Sequence, residues 1–111
     1  MSLISKLSKL WVSTELSGKT FVSRIQIVMG TNNLTNQQRE ALHLEFRRNF
    51  ILIRNLRTKQ TKQLMWEFLD KDNDKYTFRD EKYGQWLISE HHITYTDMES
   101  GDTTSFMGKI L

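Results

Sequence analysis

The chain has 111 residues, a formal net charge of +3, no cysteine and no proline. This length allows one domain with a modest core, and the lack of cysteine excludes disulfides, thiolate zinc sites and cysteine nucleophiles. The longest apolar runs fall short of the roughly 18 residues that a membrane helix needs. No secretory signal pattern is evident. We therefore expect a single cytoplasmic domain over residues 1–111 without a membrane span.

The charges are distributed unevenly along the chain. Residues 1–66 carry eleven Lys or Arg and three acids, a net +8, whereas residues 67–111 carry five Lys or Arg and ten acids, a net −5. Such asymmetry bears on binding partners rather than on fold. It suggests nucleic acid or an oppositely charged protein surface as the partner.

The N-terminal segment has a helical pattern. Over residues 2–12 apolar side chains recur at helical spacing, with Lys6 and Lys9 on the other side. This predicts a short amphipathic helix. We expect it to dock on the protein's own core rather than on a membrane, because two lysines attract lipid only weakly.

Residues 20–29 are rich in β-branched side chains and lie between Gly18 and Gly30. Their apolar residues fit both the alternation of a strand and the spacing of a helix. The β-branched content and the bounding glycines favour a strand. A helix is the alternative.

The longest stretch with one consistent period covers residues 34–56. The residues that share a stripe at helical spacing are Leu42, Phe46, Phe50, Ile53 and Leu56. This stripe predicts a long central helix with one buried side, and Thr35 to Gln38 has the form of a capping box that would start it. After a polar turn at residues 57–63, a renewed helical pattern predicts a continuation to Leu69.

From Asp70 onward the chain is acidic and rich in turn residues. Residues 85–96 alternate, and a turn signal at 99–102 precedes a second candidate strand at 103–110. A competing interpretation makes residues 80–91 a helix. Together these elements predict an α+β fold: an N-terminal amphipathic helix, one strand, a long central helix with its continuation, and a C-terminal antiparallel β-hairpin or meander.

The expected central helix would be strongly basic. A helix of this charge can follow a phosphate backbone without reading bases. We therefore expect a non-enzymatic, nucleic-acid-associated protein. The residues expected to contact phosphates are Arg47, Arg48, Arg54, Arg57, Lys59 and Lys62. The alternative is a solvated face in which Glu40 and Glu45 pair with some of the arginines.

A second hypothesis is a small regulator or inhibitor that binds another protein or forms a homodimer. On the expected helix, Leu44 and Ile51 lie opposite the core stripe, so a partner would have to cover them. The charge asymmetry would steer the approach. The predicted interface residues are Leu44, Ile51, Trp86, Tyr95 and Phe106.

One acidic segment resembles the calcium loop of EF-hand proteins. In residues 68–81, FLDKDNDKYTFRDE, aspartates stand at the first, third and fifth loop positions and a glutamate stands at the twelfth. The resemblance implies a calcium site formed by Asp70, Asp72, Asp74 and Glu81. Lys75 stands where the family has glycine, so we prefer an acidic turn without metal.

No motif indicates catalysis. His91 and His92 would point to opposite faces of a strand and cannot bind one ion together. The chain has neither a glycine-rich phosphate loop nor a serine nucleophile elbow. We therefore expect neither enzymatic activity nor a cofactor.

Overall fold

The computed structural model describes residues 16–31 and 35–111. These residues form nine strands, and every paired couple of strands is antiparallel. The strands are β1 (Thr20–Met29), β2 (Thr35–Gln38), β3 (Leu42–Phe46), β4 (Phe50–Asn55), β5 (Thr61–Asp72), β6 (Lys75–Asp80), β7 (Gln85–Ile88), β8 (His92–Thr96) and β9 (Thr103–Ile110).

The sheet closes on itself because β1 pairs with β9 along one edge and with both β2 and β3 along the other. β2 lies opposite Gln26 to Met29, and β3 lies opposite Thr20 to Ser23. The two short strands therefore act as one interrupted strand. The remaining strands pair in chain order, which gives an eight-stranded antiparallel barrel.

Alternate residues along each strand point into the barrel, as closure requires. We call the end that carries the turns at residues 47–49, 73–74 and 89–91 the closed end, and the opposite end the open end. Large buried side chains fill the interior towards the closed end. They include Phe21, Phe46, Ile51, Trp66, Phe78, Ile88 and Ile93. The Trp66 ring stacks on Phe78 with ring centroids 4.0 Å apart and on Phe46 at 5.9 Å.

The prediction of a long helix over residues 34–56 is wrong, because this segment forms β2, β3 and β4. Leu42 and Phe46 do point inwards, but a separation of four residues keeps two side chains on one face of a strand as well as of a helix. Leu44, expected on the opposite side, is fully buried beside them. The local pattern was therefore ambiguous, and pairing with β1 decided it.

The helical continuation to Leu69 is also wrong, since that segment belongs to β5. The apparent capping box is β2, and residues 80–91 form a turn and β7 instead of a helix. The α+β prediction is thus corrected to an all-β barrel. Within the described residues, no helix has the length and apolar character needed to cross a membrane.

Two predicted elements are confirmed. Residues 20–29 form a strand, and residues 103–110 form a strand that pairs with β8 in a hairpin. The helix predicted over residues 2–12 lies outside the described residues.

Candidate functional site

The interior towards the open end is not filled by side chains. It holds a cavity of about 290 Å³. The apolar part of its wall comes from Val28, Leu42, Ile53, Leu64, Trp86 and Phe106. The polar part comes from Gln26, Gln38, Glu40, Lys62, Tyr95 and Thr104. Residues from seven of the eight barrel positions, all except β6, thus surround one space.

Strands β1 and β9 show how the interior divides into a buried half and a half that lines the cavity. On β1 the interior residues are Phe21 and Ser23 in the buried half, and Gln26 and Val28 in the half that lines the cavity. On β9, Thr104 contributes a short side chain opposite Val28. An eight-stranded barrel is wide enough to hold one small ligand where side chains do not fill its interior.

Gln26 is the most deeply buried polar side chain of the cavity wall, with 3% of its surface exposed. Its Nε2 donates to Ser23 Oγ at 3.0 Å and to the carbonyl oxygen of Glu40 at 3.0 Å. Its Oε1 is buried and has no hydrogen-bond partner among the described residues. A buried acceptor without a partner costs about 1–3 kcal/mol, so it calls for an explanation.

The Gln26 side chain bridges a gap in the sheet. Residues 39–41, between the Gln26–Gln38 pair and the Ser23–Leu42 pair, are not paired with β1. The carbonyl of Glu40 accepts its hydrogen bond from the Gln26 side chain instead of from a strand amide. The Ser23 hydroxyl lies 3.1 Å from the carbonyl oxygen of Met107 and donates to it, so the network links β1, β9 and the segment at residues 39–41.

A polar rim lies above the cavity. The Glu40 carboxylate accepts a hydrogen bond from Asn55 Nδ2 at 3.4 Å and lies 3.5 Å from Arg57 Nη2. Lys62, opposite Ile53 at the start of β5, also lines the cavity and is exposed. The Glu40 carboxylate thus has two partners at the mouth, and the exposed Lys62 side chain belongs to the same cavity wall.

The opposite wall is held by Asp80, which is buried next to the β6–β7 turn. Its Oδ1 accepts from the backbone amides of Lys82 and Gly84, both at 2.9 Å, and its Oδ2 accepts from Trp86 Nε1 at 2.9 Å. The Trp86 ring packs against Tyr95 with centroids 4.5 Å apart. Burial, followed by the charges of Asp80 and Asp97, raises the pKa of Tyr95 above its ordinary value of 10.0.

The basic residues predicted to contact nucleic acid do not share one face. Arg47 and Arg48 lie in the turn at the closed end, whereas Arg57 and Lys59 lie in the turn between β4 and β5 at the open end. Lys62 lies at the cavity mouth.

The sixth predicted residue, Arg54, projects from the outer wall of β4. Its Nη1 lies 3.8 Å from the carboxylate of Glu45, which also pairs with Arg47 at 3.2 Å. The pairing of arginines with Glu45 and Glu40, expected as the alternative, is present.

The predicted protein-interface residues lie inside the barrel. Leu44, Ile51, Trp86 and Phe106 are buried, and Tyr95 is partly buried against Trp86. Leu44 and Ile51 were placed on a surface because they would be uncovered on a helix, and the three aromatic residues because they lie in the acidic C-terminal part of the sequence. In the barrel these positions point inwards, so they offer no docking surface.

The residues that resemble a calcium loop form a β-hairpin. Asp70 and Asp72 end β5 and Asp74 lies in the turn, but Glu81 follows β6 at the other end of the hairpin. Six strand residues separate Asp74 from Glu81, which is roughly 20 Å at 3.3 Å per residue. Glu81 Oε1 instead accepts from the Met65 amide at 3.0 Å. In residues 16–31 and 35–111, no group of three or more His, Asp or Glu side chains could hold a metal ion.

A basic row on the outer wall was missed by the sequence reasoning. Lys109, Val22, His43 and Arg54 lie directly opposite one another on the adjacent strands β9, β1, β3 and β4. A groove of about 690 Å³ runs beside the row, and its lining includes Arg24 and Lys109 but no carboxylate. Residues this far apart in the sequence align only through the strand register.

Gln26 was missed for a related reason. The alternation read from the sequence places Ser23, Ile25 and Ile27 on one face, whereas β1 shifts register between Ser23 and Ile25. This bulge turns Gln26 and Val28 into the barrel and Ile25 and Ile27 out of it. The sequence shows that Gln26 is a polar residue between Ile25 and Ile27, and this could have marked it as a candidate site residue. The sequence does not show whether its side chain points into the barrel or out of it.

The fold and site therefore define an antiparallel β-barrel with a partly hollow interior. No protein-family model matches the chain, and no curated protein matches it in sequence.

Proposed function

We propose that the protein binds a small molecule in the barrel cavity and acts as a non-enzymatic binding protein. The observation that carries the proposal is the cavity of about 290 Å³, which opens at one end of the barrel and is lined by apolar and polar side chains in equal number. Binding sites for small molecules are typically concave, mostly apolar and placed in the mouths of barrels.

The cavity volume limits the size of the ligand. An apolar cavity of about 150 Å³ in another protein accepts benzene. A cavity of about 290 Å³ therefore has room for a fused bicyclic ring or a molecule of similar bulk. Trp86 and Phe106, whose ring centroids lie 6.1 Å apart with planes at 14°, form part of the apolar wall.

The test uses indole and naphthalene as probes, followed through the Trp86 Nε1–H resonance in ¹H–¹⁵N spectra. We expect saturable shifts at probe concentrations up to the millimolar range. Val28→Phe adds a ring to the cavity wall and should abolish binding. Ile27→Phe, the neighbouring residue on the outer face, is the matched control and should bind as the unaltered protein does.

Two outcomes would contradict this proposal. One is the lack of any saturable shift with either probe. The other is undiminished binding by a folded Val28→Phe variant. Circular dichroism of both variants establishes that the barrel has formed.

As a second candidate we propose contact with a polyanion such as nucleic acid through the outer basic row. The supporting observation is the alignment of Lys109, His43 and Arg54 across adjacent strands. Lys109 and Arg54 would neutralise phosphates and release counterions, so binding should weaken with salt.

Fluorescence anisotropy of labelled duplex and single-stranded DNA and RNA, at low and physiological salt, tests this candidate. Joint Arg54→Gln and Lys109→Gln substitution should weaken binding and lower the slope of log K against log salt by up to about 2. Joint Lys75→Gln and Lys82→Gln, which removes the same charge elsewhere, should change it less. Equal effects of the two pairs, or no binding at low salt, would exclude the row as the contact.

A further inference from the structure

We infer that the ligand of the barrel cavity is an anion with an apolar body, and that its charged group, such as a carboxylate, lies at the cavity mouth beside Lys62. This inference rests on the proposed function and names the class of ligand that the cavity selects. Three observations support it. They are the inward-facing position of Lys62, its lack of an ion-pair partner among the described residues, and the division of charge across the mouth.

Lys62 occupies a position on β5 that faces the barrel interior. Side chains alternate between the two faces of a strand, and Leu64 and Trp66, two and four residues further along β5, are buried in the interior. Opposite Lys62 lies Ile53, which also lines the cavity. The Lys62 side chain is exposed, so it lies at the open end rather than within the packed core. Its flexible stem can bring the ammonium group to a ligand in the mouth.

The charged side chains of the cavity wall differ in their partners. Among the described residues, the lining holds two charged side chains, Glu40 and Lys62. The Glu40 carboxylate has Asn55 at 3.4 Å and Arg57 at 3.5 Å as partners. Lys62 has no ion-pair partner in residues 16–31 and 35–111. A ligand anion can therefore pair with Lys62 without displacing an existing ion pair.

The charges around the open end are divided between its two sides. In the ring of eight barrel positions, the β4–β5 turn and the β8–β9 turn lie opposite each other. Residues 56–62 carry three cations and no acid, whereas residues 97–102 carry three acids and no cation. The cations are Arg57, Lys59 and Lys62, and the acids are Asp97, Glu99 and Asp102. An anion in the mouth is attracted to the β5 side and repelled from the other.

A cationic ligand would find less favourable surroundings. The acids of the β8–β9 turn do not belong to the cavity lining, and Asp97 accepts from the amides of Glu99 and Ser100 in its own turn. Within the lining, a cation would meet a Glu40 carboxylate that already has two partners and would be repelled by Lys62. The charges of the wall therefore favour an anion.

Indole-3-acetate and indole-3-acetamide make a matched pair of probes, because they have nearly the same shape and differ in a carboxylate against a neutral amide. We expect the acetate to bind about fivefold more tightly at low salt, as one ion pair at a solvated site would produce. The preference should fall to within about twofold at about 0.5 M NaCl, because salt screens exposed charges. Both titrations are followed through the Trp86 Nε1–H resonance, with indole as the uncharged reference.

Lys62→Gln removes the cation and should bring the affinities for the two probes to within about twofold. Lys62→Arg keeps the charge and should keep the preference for the acetate. Lys59→Gln removes the same charge from the neighbouring turn, outside the cavity lining, and is the matched control. It should keep most of the preference. Circular dichroism of the three variants establishes that the barrel has formed.

The outcomes separate this inference from the proposed function. Equal affinity for the acetate and the acetamide at low salt, or binding of indole alone, would overturn the anion inference while the binding function stands. A preference for the acetate that survives Lys62→Gln, or that Lys59→Gln removes to the same extent, would overturn the assignment to Lys62. Failure of all three probes to bind would overturn the binding function itself.

Discussion

Trp86 Nε1 donates a hydrogen bond to Asp80 Oδ2 at 2.9 Å, and the two residues have 1% and 4% of their surface exposed. The same carboxylate receives the amides of Lys82 and Gly84, so one buried side chain fixes both the β6–β7 turn and the indole that lines the cavity. The cavity wall is therefore held by a turn rather than by packing alone.

Asp80→Ala should lower the free energy of unfolding by about 2–4 kcal/mol, because it leaves buried donors of Gly84 and Trp86 unpaired. Asp80→Asn keeps an acceptor for the turn but sets its NH₂ group against Trp86 Nε1, so we expect an intermediate loss. Urea unfolding measures both. Asp74→Ala, in the exposed β5–β6 turn, is the control and should change stability by less than about 0.5 kcal/mol. Equal stabilities of the Asp80 and Asp74 variants would contradict the role given to Asp80.

Gly108→Ala should destabilise the barrel by about 2 kcal/mol or more. A Cβ atom at this position would lie 1.8 Å from the carbonyl oxygen of Val22, which is backbone and can move only with the strand. The β1–β9 pairing that closes the barrel would have to open locally. Thermal unfolding should show a clear fall for this variant and little change for Ser105→Ala on the same strand. A Gly108→Ala protein as stable as its parent would show that β9 does not approach β1 so closely.

Added calcium should leave the thermal stability unchanged, since a cation that binds only the folded state would raise it. The reason is geometric: Glu81 is bonded to the Met65 amide, at the far end of the hairpin from Asp74. Scans with millimolar calcium and with a chelator make the comparison. A stabilisation that grows with calcium and disappears in Asp72→Asn would show that the acidic turn binds the ion after all.

The ionisation of Tyr95 should occur above pH 10, because burial and then the charges of Asp80 and Asp97 raise its pKa. Since the raised pKa belongs to the folded state, its contribution to stability is fully present below pH 10.0 and is lost as the pH rises through the folded-state value. An NMR titration of the tyrosine Cζ resonances, assigned with Tyr95→Phe, measures it.

Asp97→Asn removes one of these charges while keeping a side-chain oxygen for the amides of Glu99 and Ser100. It should lower the pKa of Tyr95 towards its ordinary value. A Tyr95 resonance that titrates at or below pH 10.0 in the unaltered protein would contradict the raised pKa and its assignment to burial.

Part of the fold was predictable from local sequence. The strands at residues 20–29 and 103–110 could be predicted because their β-branched residues, alternation and flanking turn signals can be read within one segment, without knowing its partner strand. The central segment could not be assigned in this way, since Leu42 and Phe46 share a face in either secondary structure. The cavity was not predicted at all, although Trp86, Tyr95 and Phe106 were singled out as binding residues and do line it.

Three properties could be read from the sequence alone. They are the absence of cysteine chemistry, the uneven distribution of charge and the strands whose alternation is unambiguous. The tertiary structure decided everything that depends on pairing between distant residues. Phe21 lies opposite Ile110, and this pairing closes the barrel and makes strands of segments whose local pattern also suits a helix. The bulge beside Ser23 then turns Gln26 inwards. Register is set by the whole closed sheet, so no local pattern could reveal which side chains would face the cavity.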